Sequence, residues 1–189
     1  MLHRLSLLLF LSLTLLTAQP TLAREPQEMT LTDTVLTVSQ DHLLLFTTLT
    51  HPLTEELIRG LHNGLNTKII FSIELDRTQT MRSDERLITL DIEHTLIYDT
   101  LKQDYRIERS EQPGRTSILP TLESAIAASA SLNNLRLIEL SQLRGISPYR
   151  LRLKARIANK QLPMNLHYLT DLLPWGDRET DWQTVEFSY

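Results

Sequence analysis

The sequence predicts a mainly β domain, an antiparallel β-sandwich-like fold with two or three short helices packed on it. An α+β arrangement is the alternative. Three observations predict it. Residues 68–76 alternate, with Ile69, Phe71, Ile73 and Leu75 on one parity. Residues 85–98 alternate for longer, placing Ile88, Leu90, Ile92, His94, Leu96 and Tyr98 together, opposite Thr89, Asp91, Glu93 and Thr95. Residues 149–157 alternate apolar against cationic. A period of two sustained over so many positions marks strands with one buried face. Short polar breaks join the first two segments to each other and to Tyr105 and Ile107, so a three-strand antiparallel meander is expected across 67–108.

The remaining elements follow in chain order. Residues 1–23 read as a secretory signal peptide: Arg4 supplies the positive start, residues 5–18 are an unbroken Leu-rich run, and Thr21-Leu22-Ala23 is a cleavage site. The run is shorter than the roughly 20 residues that span a bilayer, and Pro20 stands where a spanning helix would continue. Export to the periplasm is therefore expected, with an uncleaved inner-membrane anchor as the alternative. Cleavage before Arg24 removes Arg4, one of 19 basic residues, and no acidic residue, which takes the net charge from −4 to −5. Residues 24–30 form a flexible lead-in, and 31–189 a single globular β-rich domain. No later stretch is apolar enough to cross a membrane.

Residues 31–38 and 42–49 suggest a first hairpin around Gln40-Asp41. Residues 53–65 then switch to a helical period, with Leu53, Leu57, Ile58, Leu61 and Leu65 on one face. Thr54 caps that helix and Asn63-Gly64 ends it. After the meander, Pro113-Gly114 marks a turn. A slim Ala-rich helix is expected at 121–132, capped by Thr121 and stopped by Asn133-Asn134. Further strands are expected at 135–143, 149–157 and 182–189, with a break at Leu162-Pro163, a short helix at 165–173 and a corner at Pro174-Trp175-Gly176. Trp175 and Trp182 are expected to plug the core at that corner, with an interface patch as the alternative.

Composition removes several function classes. An acidic balance gives no basic surface for nucleic acid. With no cysteine there is no disulfide, thiolate metal site, thiol nucleophile or lipidated cysteine. The six histidines form no His-Glu-x-x-His or His-x-His spacing. His94, the one on a buried face, reads as a satisfied core histidine. No serine acyl-enzyme motif occurs, and five glycines build no phosphate loop. Asp91 and Glu93 share a strand face but read as exposed acids, since an acid–base pair needs one carboxyl raised by burial. Neither catalysis nor a cofactor or metal is expected.

The one unusual feature is the row Arg150, Arg152, Lys154 and Arg156. It is a candidate surface for an anionic partner. Equally, it pairs across strands with Glu74 and Asp76 or with Asp91 and Glu93, each pair contributing about 0.2–1 kcal/mol.

The order of these features resembles the exported bacterial family known as domain of unknown function 4390. The helix start Thr121-Leu122-Glu123-Ser124-Ala125, the 149–157 strand, the Gln161-Leu162-Pro163 break and the closing strand from Trp182 to Phe187 carry the resemblance. This chain departs from the pattern at 171–181, where a further aromatic position is expected. The resemblance implies an exported, mostly antiparallel β domain without an assigned activity, encoded near two-component sensor kinases. The expected role is that of a non-catalytic envelope protein acting through another protein, a membrane sensor kinase among the candidates. A carrier of a lipid or other apolar ligand is the alternative.

Overall fold

The structure is a computed structural model that describes residues 28–158 and 178–189. The leader, the Leu162-Pro163 break, the 165–173 helix and the corner with Trp175 lie outside the described residues. Among the described residues ten strands form two antiparallel sheets. The smaller sheet orders β1 (Thr30–Ser39), β2 (His42–Thr50) and β7 (Ser131–Glu139) as β1-β2-β7. The larger runs β10-β8-β3-β4-β5-β6, from β10 (Gln183–Ser188) and β8 (Pro148–Ala158) through β3 (Thr67–Arg77), β4 (Glu85–Asp99) and β5 (Asp104–Arg109) to β6 (Thr116–Leu119). The two-residue strand β9 (Arg178–Glu179) pairs with the end of β8. The sheets do not close into a barrel.

Strand parity decides what is buried. Ile69, Phe71, Ile73 and Leu75 of β3 align with Ile157, Ala155, Leu153 and Leu151 of β8, and with His94, Ile92, Leu90 and Ile88 of β4. All of the β3 and β8 residues in these rungs are at most 1% exposed. Leu43, Leu45, Leu49 and Leu132 of the small sheet pack against this face, giving the two-layer core of a sandwich.

The helices cover the rest of the same face. Helix α1 (Glu55–His62) is capped by Thr54, whose hydroxyl accepts from the Leu57 amide, and ends at Asn63 with Gly64 at φ +87°. Helix α2 (Leu122–Ser129) is capped by Thr121. Leu61 of α1 and Ala125 of α2 sit on Leu96, Tyr105 and Ile107, all buried. The small Ala125 lets α2 lie close on the sheet.

Three boundaries differ from the sequence expectation. Helix α2 stops at Ser129, and β7 begins at Ser131 rather than 135. Asn133-Asn134 does not terminate the helix; Asn134 takes φ +61° within β7, where the pairing with β2 shifts register. An Asn tolerates that left-handed backbone, and the extra residue makes a bulge. Beyond Glu139 the chain forms a single 3₁₀ turn, Leu140–Gln142. Strand β6 carries no usable sequence signal, because four half-exposed residues cannot establish a period.

The β4–β5 turn shows how the meander is fixed. Asp99 accepts the amides of Leu101 and Lys102, each at 3.0 Å, through one oxygen and Arg106 through the other. The Lys102 and Leu101 amides hold its carboxyl below the ordinary 3.8. Because the folded value is the lower one, its contribution is present above pH 3.8 and is lost as pH falls through the folded value. Urea denaturation should show parent more stable than Asp99→Asn near neutrality, with the gap closing below pH 3.8. A gap that stays constant with pH would rule out this linkage.

Candidate functional site: the outer face of the large sheet

In β8 the inward residues Tyr149, Leu151, Leu153, Ala155 and Ile157 are all at most 1% exposed. Arg150, Arg152, Lys154 and Arg156 therefore leave on the opposite face, each half-buried. Register sets their neighbours. Arg150 lies between Asp76 of β3 and Glu186 of β10, and Arg152 between Glu74 and Thr184. Lys154 lies beside Ser72, and Arg156 between Ile70 and Glu179 of β9.

Three of the four cations are paired. Arg150 donates to Asp84 at 2.9 Å and to Glu186 at 3.2 Å. The Glu186 bond, with Asp84 beside it, raises the Arg150 guanidinium further above its usual range. Arg152 donates to Glu74, which also holds Arg86 at 2.9 Å, and Arg86 reaches Asp76. The Asp76 bond raises Arg86 in the same sense. Lys154 reaches Glu179 at 3.0 Å. Arg156 has no ion pair among the described residues, and the buried Nε of Arg152 has no acceptor.

Of the acids considered from sequence, Glu74 alone bonds a cation of β8 directly. Asp76 goes to Arg86, Glu93 goes to Lys68 at 2.7 Å, and Asp91 is exposed. Asp84, Glu179 and Glu186 were not foreseen as partners, because they come from a loop and from strands whose register is not written in local periodicity.

Trp182 corrects an expectation. It does not plug the core but is 40% exposed, with its ring 5.2 Å from the Arg152 guanidinium carbon and 5.3 Å from Lys154 Nζ. Parity contained this signal. Val185, Phe187 and Tyr189 form one set, so Trp182 belongs with Thr184 and Glu186 on the outer one.

His94 lies on the other face and is fully buried. Its Nδ1 is 2.8 Å from the Ser129 carbonyl and its Nε2 3.0 Å from Glu111. The carbonyl can only accept, so Nδ1 carries a proton and donates. The histidine is a satisfied core residue that caps the end of α2. Among the described residues no three potential ligands converge on a metal position.

The ion-pair row makes a direct prediction. Arg152→Glu with Lys154→Glu turns attractions to Glu74 and Glu179 into repulsions, and should lower stability by about 1–2 kcal/mol in urea denaturation. Arg156→Gln, which breaks no ion pair among the described residues and puts no carboxylate opposite Glu179, should melt like the parent. Equal losses in the two variants would show that the pairs contribute nothing specific.

Comparison with known proteins yields one match. The family model described as Domain of unknown function (DUF4390) matches residues 26–186. No curated protein and no solved structure matches the chain. The chain belongs to the DUF4390 family.

Proposed function

We propose that this DUF4390 protein is a non-catalytic, exported envelope protein of the periplasm that acts by binding another protein through the outer face of its large sheet. The observation that carries the reading is Trp182, exposed and braced over Arg152 and Lys154, on the same strand face as Arg156, which has no ion pair among the described residues. Tryptophan and arginine are the side chains that dominate binding energy in protein interfaces. Here the Trp182 ring is already placed by its two cations, and the Arg152 guanidinium by Glu74, so little side-chain freedom remains to be lost on association. The complement is a partner surface with an acidic group for Arg156 and a slot for the indole. A membrane sensor kinase is the candidate class, because the family resemblance implies members encoded near two-component sensor kinases. Export is supported by the 5–18 apolar run and the Thr21-Leu22-Ala23 site.

Two experiments test the parts separately. N-terminal sequencing of the envelope fraction should start at Arg24; a product that keeps Met1, or one confined to the cytoplasm, defeats the export reading. A photo-reactive residue at the exposed Thr184 should give one discrete protein adduct in intact cells. That adduct should fade in Trp182→Ala and in Arg156→Gln, with both variants still folded by circular dichroism. No adduct, or one indifferent to both substitutions, defeats the binding reading.

A further inference from the structure

A second surface lies at the end of the large sheet where β3 finishes and β8 starts. Two loops, 78–84 and 143–147, meet there. The amide and hydroxyl of Thr78 both donate to the Pro148 carbonyl, and Ser147 exchanges backbone hydrogen bonds with Tyr189. Each loop presents one large apolar side chain almost wholly to solvent: Met81 is 96% exposed and Ile146 99%.

The display of Ile146 is held in place. Tyr149 is 1% exposed, yet its hydroxyl accepts from the Arg144 amide at 2.7 Å and donates to the Arg144 carbonyl at 3.1 Å. This clamp fixes the chain directly before Gly145-Ile146. Ile146 itself has φ +59°, a left-handed backbone that is strained for a β-branched residue. The strain is not offset by burial of the side chain within the protein.

Two arginines at this end stand outside its ion pairs. Arg82 adjoins Met81, and Arg144 precedes Ile146 by two positions; both are exposed, and neither has a carboxylate partner among the described residues. Of the nearby acids, Asp84 pairs with Arg150 and accepts the Gln79 amide, Glu85 pairs with Arg77, and Glu139 accepts the Ser141 hydroxyl, a neutral donor that leaves its charge in place. Arg82 beside Met81 and Arg144 near Ile146 thus set cations without a carboxylate partner among the described residues next to exposed apolar side chains.

We propose that this end is a membrane-docking tip whose occupant is the surface of an anionic phospholipid bilayer. Met81 and Ile146 enter the boundary between headgroups and acyl chains, while Arg82 and Arg144 meet the lipid phosphates. Two separate apolar points flanked by cations suit a yielding interface, whereas a protein groove calls for a contiguous apolar stripe. The acidic remainder of the chain is repelled by the same surface, which orients the molecule tip-first. This inference uses other residues than the partner face and does not depend on it.

The test is flotation of the processed chain from Arg24, which contains every described residue, with vesicles of phosphatidylcholine alone or mixed with phosphatidylglycerol. The parent should bind the anionic vesicles, less so as salt rises. Met81→Ser with Ile146→Ser should weaken binding about tenfold or more, since two apolar side chains lose their burial. Arg82→Ser with Arg144→Ser should abolish the preference for anionic lipid. Trp182→Ala with Arg156→Gln should bind vesicles like the parent, which separates failure of the tip from failure of the partner face. Melting temperatures of the tip variants should be no lower than the parent's, because all four tip side chains are exposed and Ile146→Ser removes a β-branched residue from a left-handed backbone. The proposal is overturned if the parent floats with neither vesicle. It is also overturned if the apolar double variant floats as well as the parent, or if the tip variants change only the protein adduct at Thr184.

Discussion

The constraint on which the rest of the structure depends is the one-sided burial of β3. This strand is hydrogen-bonded to β4 on one side and β8 on the other, so its backbone is fully committed within the sheet. Its side chains at 69, 71, 73 and 75 are all at most 1% exposed. A slip of one residue in either ladder would bring the outer, polar set of that neighbour into the core and send its apolar set outward. The register is therefore heavily determined. Once it is set, the inner face needs a cover and the outer face needs neutral charge.

The inner face is covered by two different devices. Over β8, β3 and the start of β4, the small sheet supplies leucines. Over the end of β4 and over β5, the helices take over. Helix α2 has no basic residue in its own last turn. The sheet supplies what it lacks: His94 donates to the Ser129 carbonyl and Arg109 to the Ala128 carbonyl at 3.0 Å. Donors and positive charge at a helix C-terminus satisfy its open carbonyls and oppose its dipole. A buried imidazole beside Phe71 thus has a structural reason that requires no chemistry of catalysis.

The outer face solves a different problem. Four cations spaced two apart on one strand repel one another, and the fold answers with acids from three directions: β3, the 78–84 loop and the edge strands β9 and β10. Exposed pairs of this kind contribute little each, so the row is better understood as neutralisation than as a source of stability. Among the described residues Arg156 is left outside that neutralisation, and Trp182 is held over Arg152 and Lys154. Both are features of a surface rather than of a core.

The sequence by itself determined the period, and through it the strands β3, β4, β8 and β10, the caps Thr54 and Thr121, and the face on which each cation of β8 stands. Those are local properties, carried by neighbouring residues and by the steric preferences of single turns. It could not determine which acid meets which cation, since Asp84, Glu179 and Glu186 reach β8 only through register and loop geometry. It did not reveal β6, too short to show a period, or the bulge at Asn134 that moved the start of β7. Nor could it bring Met81 and Ile146 to one end of the sheet, 65 positions apart in the chain. Tertiary structure decided these because antiparallel pairing joins residues remote in sequence, and alternation says only which face a side chain takes, never what lies opposite it.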